Sequence, residues 1–161
     1  MYAGTRIFVF GTVDSPASKG MPNATYSLDS LPPTGMNGAD VSTITDTQSH
    51  IRLYQSAVLE NGRHTLNISL SNTSSTSPKY YFDFFTIEVQ SVPSTAHVIV
   101  DDRDPGIKYS GNWTESSSFN EYMYTDSEAP DSGNANATYL FNGTKRFPLQ
   151  RISDAFFSFI L

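Results

Sequence analysis

The sequence predicts an all-β protein, a jelly-roll-like antiparallel β-sandwich, and three observations carry that prediction. Short runs of β-branched and aromatic residues alternate with clusters of Gly, Pro, Asn, Asp and Ser. No window sustains the apolar period of a helix. Aromatic residues make up 13% of the 161 residues against 16% charged, a balance that can fill one hydrophobic core.

Taken in order, Arg6 to Val13 (RIFVFGTV) has four successive apolar residues and reads as a strand covered on both faces. Ala24 to Asp29 alternates, with Ala24, Tyr26 and Leu28 on one side, as a half-exposed strand does. Leu31 to Ser49 has no period. Ile51 to Leu59 and His64 to Leu70 flank Asn61-Gly62, a strong hairpin signal. Tyr80 to Val89 (YYFDFFTIEV) is aromatic and β-branched throughout, as a core strand requires. Val98 to Val100 leads into Asp101, Asp102 and Asp104, a Pro105-Gly106 turn, and a second extended run through Ile107 and Tyr109 to Trp113, the only tryptophan. Phe119 to Thr125 reads as a further strand that puts Asn120, Tyr122 and Tyr124 in register, Asp126 to Asn134 as a loop, and Ala137 to Phe141 as an alternating strand.

Composition excludes several functions. The chain has no cysteine, hence no disulfide framework, thiolate metal site or thiol nucleophile. Its net charge is −6, and residues 97–144 hold eight acids against Arg103 and Lys108. With no basic patch, nucleic acid is not an expected partner. The acidic half reads as solvated surface. No apolar run approaches the roughly 20 residues of a membrane-spanning helix. Six of the ten asparagines stand in N-x-[ST] sequons: Asn23, Asn67, Asn72, Asn112, Asn136 and Asn142. These are candidate glycosylation sites and point to an extracellular or cell-surface protein. No charged and apolar leader opens the chain, so an extracellular reading implies that a leader is missing from it.

Candidate chemistry is sparse. Tyr109, Trp113, Tyr122 and Tyr124, with Asn120 or Glu121 to hold hydroxyls, could form an aromatic platform for a sugar ring. As core residues, Tyr109 and Trp113 would instead be buried, the commoner fate of a lone tryptophan. Asp101, Asp102 and Asp104 read as turn acids rather than calcium ligands, because their spacing is not that of a calcium loop. His50, His64 and His97 are scattered without metal-ligand spacing, and His64 reads as a satisfied, partly buried histidine. Asp83, inside an aromatic strand, reads as a buried acid bonded to nearby backbone or a tyrosine. No serine elbow is present and no two carboxylates are singled out as a hydrolytic pair, so neither catalytic residue, cofactor nor metal is expected.

Several motifs together resemble a galactose-binding-domain-like β-sandwich module found in surface proteins of mushroom-forming fungi. They are the acidic D-D-x-D-P and I-x-Y-S-G-x-W of Asp101 to Trp113, A-T-Y-x-F-x-G-T of Ala137 to Thr144 and I-x-V-x-G-T of Ile7 to Thr12. A-T-Y-S-L-D of Ala24 to Asp29, L-Y-Q-S…L-x-x-G-x-H-T-L of Leu53 to Leu66 and Y-F-D-F-F-T of Tyr81 to Thr86 complete the set. The order is permuted. The resemblance implies that residues 1–92 are the second half of one module and 93–144 the first half of the next, together able to form one circularly permuted sandwich. Tyr2-Ala3-Gly4-Thr5 and Phe141-Asn142-Gly143-Thr144 carry the same junction. The tail, 145–161, departs from the pattern, as a truncated reading frame would. The implied function is non-catalytic carbohydrate or cell-wall glycan binding; the alternative is a structural spacer in a glycosylated ectodomain with no small ligand, and either reading is compatible with a parent protein anchored in a membrane outside this chain.

Overall fold

The four apolar residues Ile7–Phe10 have no exposed side to spare, and they form a strand with neighbours on both edges and cover on both faces. In the computed structural model this is β2 (Arg6–Val13), where only Arg6 and Phe10 are half-exposed. Residues 3–14, 20–38, 43–60, 62–73, 79–90, 95–129 and 132–143 are described. The other strands are β1 (Ala3–Gly4), β3 (Ala24–Leu28), β4 (Gln48–Gln55), β5 (Gly62–Thr73), β6 (Tyr80–Gln90), β7 (Thr95–Asp101), β8 (Ile107–Ser110), β9 (Thr114–Ser116), β10 (Asp126–Ala129) and β11 (Ser132–Gly143). Among the described residues no α-helix occurs, only a 3-10 turn at Tyr122–Tyr124.

The strands form two sheets, antiparallel except where β1 runs parallel to β11. In the front sheet β11 lies between β5 and an outer lane shared by β8 and β1, and β3 closes the far edge. In the back sheet β2 lies between β4 and β6; β7 and β10 share the other edge of β6, and β9 lies outside β10. The fold is an all-β sandwich, as the strand pattern predicts.

The core is the facing sides of these sheets. Leu66, Ile68 and Leu70 of β5 and Ala135, Ala137, Tyr139 and Phe141 of β11 point inward at every second residue, opposite Ile7, Val9, Phe82, Phe85 and Ile87. Aromatic contacts tie the layers: Tyr26 stacks on Tyr54 at 4.7 Å, and Phe85 on Tyr139 at 5.2 Å. The Tyr26 and Tyr80 hydroxyls meet at 3.0 Å. Each such side chain contributes about 1.5–3 kcal/mol by leaving water. Strands from residues 1–92 and from 93–144 occupy both sheets and share this core. The tail 145–161 lies outside the described residues.

The two junction segments meet. Ala3 lies beside Asn142 and Gly4 beside Gly143, parallel and in register. Both glycines are sterically required, since a Cβ at Gly4 would fall 2.1 Å from Ile87 Cγ2 and one at Gly143 would fall 2.6 Å from the Glu60 carbonyl.

Four expectations are corrected. The Asn61-Gly62 turn does not join a hairpin: β4 belongs to the back sheet and β5 to the front. The segment between them climbs beside the β1–β2 crossing, with Ser56 N–H donating to Ile7 O and Leu59 N–H to Thr5 O. Leu59, buried in the core, anchors that crossing, which a local turn signal cannot register. Phe119 to Thr125 is not a strand, because Met123 and Tyr124 adopt left-handed backbone at φ 53° and 64°. Asp126 to Asn134 is not a loop: Asp126–Ala129 is β10, held between β6 and β9, and β11 begins at Ser132. The acidic half is not simply solvated, since Asp102, Glu121 and Asp126 are buried. Polar strands such as DSEA are invisible to a hydrophobicity pattern.

Candidate functional site

The expected sugar platform separates into two places. Ile107 ends the acidic turn by entering the core, which sets Tyr109 two residues on along the same face of β8. The Tyr109 ring packs on Trp113 at 5.0 Å, and Trp113 meets Tyr80 edge-on at 6.4 Å. Both are half-buried. Tyr109 O–H donates to Asp102 O at 2.9 Å and Trp113 Nε1–H to Asn136 O at 3.0 Å. Beside them opens a cleft of about 380 Å³, walled by Tyr109, Trp113, Pro105, Arg103, Asp104 and Glu115 among others. Arg103 bridges its floor and rim: its guanidinium stands 3.0 Å from Asp102 and 2.6 Å from the exposed Glu115, and donates to the carbonyls of Ser116 and Asp126.

Asn120, Tyr122 and Tyr124 lie apart, in the loop between β9 and β10. Tyr122 is half-buried against Phe84 at 5.4 Å, Asn120 is exposed, and Tyr124 is 63% exposed beside Phe119, which is 93% exposed. Glu121 does not serve a sugar hydroxyl. Its side chain turns inward and accepts hydrogen bonds from Thr12 Oγ1 and, at 3.1 Å, from Ser49 Oγ.

The acidic turn does what turn acids do, with one exception. Asp104 accepts from Gly106 N–H at 2.7 Å and Asp101 from Arg103 N–H at 3.4 Å. Asp102, 1% exposed, instead accepts from Thr125 and Ser127 hydroxyls at 2.7 Å each. Burial nevertheless raises its pKa against those donors and Arg103. Asp126 is pushed up to about 6 by burial and then by Glu121.

The least regular part of the molecule is the outer side of the back sheet. Gly11 pairs with Phe82 and Phe10 with Phe84, so Asp83 is the extra residue of a β-bulge in β6. Gly11 permits it, for a Cβ there would lie 2.0 Å from Tyr81 O. A second irregularity lies across β2, where Gly11 pairs with Ile51 and Val13 with Gln48, and His50 takes a left-handed φ of 58°. The two defects bring His50 Nε2 to 3.3 Å from Asp83 Oδ2. Glu121 arrives from above, and Tyr122 N–H donates to Asp83 Oδ1 at 3.0 Å. Asp83 is therefore buried and backbone-bonded as expected, while its pairing with Glu121 is new. The signal available was a glycine inside a strand.

His64 is satisfied, as expected. Its Nδ1 lies 2.8 Å from Asp29 Oδ2 and its Nε2 3.0 Å from Glu60 O, joining the end of β3 to the start of β5. Burial lowers the imidazole, but those two acceptors outweigh it and raise the pKa. Asp29 is lowered: burial opposes, and the bonds from His64 and Thr65 N–H prevail.

Four sequon asparagines share the outer side of the front sheet. Asn67, Asn136 and Asn142 alternate with inward residues on β5 and β11, and exposed Asn23 sits just ahead of β3, donating to Ser71 O at 3.0 Å. Asn67 accepts from Thr138 Oγ1 at 2.8 Å and is half-buried. Asn72 is the last residue but one of β5, and Asn112 lies exposed beside Trp113.

Compared with known families, curated proteins and solved structures, the chain matches no family and has no significant relative in sequence or in fold.

Proposed function

We propose that this chain is a non-catalytic extracellular carbohydrate-binding module of the galactose-binding-like kind, and that the cleft beside Tyr109 and Trp113 is its sugar site. The observation that carries the reading is the composition of that cleft. Two tilted aromatic rings offer apolar contact to a sugar face, and the Arg103–Glu115 pair offers planar, oriented groups to its hydroxyls. Asn120, Tyr122 and Tyr124 belong to a second surface and not to this site. Asp83 and Glu121 do not line this cleft.

N-linked glycans would cover the front sheet and leave this cleft open except at Asn112, which stands directly before Trp113. A glycan array probed with the whole chain tests the proposal. Selective binding is expected, weakened at least about tenfold by Glu115→Gln, which alters an exposed rim residue and leaves the core intact. Uniformly blank spots would overturn it in favour of a structural spacer.

A further inference from the structure

The bulge in β6, the left-handed residue in β4 and the strained turn before β10 converge on one point. Four non-glycine residues among those described have positive φ, and three of them, His50, Met123 and Tyr124, lie in these elements. Each such residue costs on the order of 1 kcal/mol or more and persists only where surrounding structure imposes it. What they impose is a cluster of His50, Asp83 and Glu121, whose ligand atoms all lie within 4.8 Å of one another.

The two carboxylates are not part of a finished hydrogen-bond network. Asp83 is 0% exposed and Glu121 8%. Among the described residues, Asp83 Oδ2 and Glu121 Oε2 each lack a hydrogen-bond donor; His50 Nε2 faces the former outside hydrogen-bond geometry. Asp102, one strand away, shows the contrast, with two hydroxyls and Arg103 filling both its oxygens. Two buried carboxylates at this separation cannot both ionise without a compensating charge. A divalent ion would supply that charge.

We propose that His50, Asp83 and Glu121 form a binding site for one divalent transition-metal ion of the zinc class. One imidazole and two carboxylates match the donors such an ion takes, and three protein ligands leave a further position for water. Calcium, which wants six to eight oxygens, fits poorly. The exposed imidazole gives the ion a path in. Bound there, the ion would fasten the β9–β10 loop, with its exposed Phe119 and Tyr124, onto the back sheet.

The experiment is calorimetric titration and thermal unfolding of the chelator-stripped whole chain with Zn²⁺, Mn²⁺ and Ca²⁺. Zn²⁺ is expected to bind at one equivalent, tighter than Ca²⁺, and to raise Tm reversibly by chelation. His50→Ala, a change at an exposed residue, should weaken Zn²⁺ at least about tenfold, with the Zn²⁺-induced rise in Tm measured against the variant's own metal-free Tm. Asp83→Asn and Glu121→Gln should abolish the one-equivalent binding and raise the metal-free Tm by removing the acid pair. Should either fail to fold, His50→Ala decides. No Zn²⁺ binding, Ca²⁺ binding more tightly than Zn²⁺, or binding that His50→Ala leaves intact would each overturn the proposal.

Discussion

The outer sides of the two sheets are built in opposite ways. On the front sheet β5 and β11 pair over twelve residues without a break, and the described residues turned outward are mostly hydroxyl and amide side chains, with Arg63 and Leu140 among them. On the back sheet the register shifts three times along β2, twice against β4 and once against β6, and the outward side carries Phe10, Phe84 and Tyr122 around buried acids. Regular pairing produces a uniform surface, suited to glycans and to solvent. Bulges re-aim single side chains and gather unlike groups, which uniform alternation cannot do. His50, Asp83 and Glu121 meet where the pleat is broken.

The sharpest way to break that contrast is Gly11→Ala. The added Cβ would enter the space of Tyr81 O, and the bulge could not form as it stands. A loss of about 3 kcal/mol or more in urea unfolding is expected; a loss under about 1 kcal/mol would mean that the bulge is soft. A smaller effect comes from Asp126→Asn. Because the folded pKa of Asp126 lies at about 6, above its ordinary 3.8, its contribution is complete below pH ~4 and fades as pH rises through 6. The variant should gain on the order of 1–2 kcal/mol at pH 8 and nothing at pH 4, read as Tm against pH.

The front sheet has its own titrating link, and it is weaker. Asp29–His64 stabilises most between the lowered pKa of Asp29 and the raised pKa of His64. The histidine's share is full below its ordinary 6.5 and is lost as pH rises through the raised value; the aspartate's share is present above its ordinary 3.8 and is lost as pH falls through the lowered one. Asp29→Asn should therefore cost about 1 kcal/mol or less near pH 6, since water screens the pair, and still less at pH 9. Denaturant midpoints at the two pH values check this. Least of all, Thr138→Ala removes only the hydroxyl bonded to Asn67 on the regular face, and should cost about 0.5 kcal/mol in the same assay.

What could be read from the residues follows the same division. β3 and the Ala137–Phe141 part of β11 are visible because one side of each faces the core with period two, and β2 and β6 because continuous apolar and aromatic runs are covered on both faces. The turn roles of Asp101 and Asp104 and the satisfied state of His64 are visible because their partners lie near in sequence or on a readable face. β10 and the Tyr122–Tyr124 turn are not, since their positions answer to partners 23 to 109 residues away, Asp102 and Thr12 among them. The grouping of Tyr109 with Trp113 was legible; its separation from Asn120, Tyr122 and Tyr124 was not.

The amino-acid pattern alone determined that this chain is a β-sandwich and which apolar residues fill it, because alternation and burial are local consequences of residue type. Which sheet each strand joins was decided only by the tertiary structure. So was the meeting of His50, Asp83 and Glu121: a single extra residue in one strand redirects a side chain, and the composition of that strand is the same with or without the bulge.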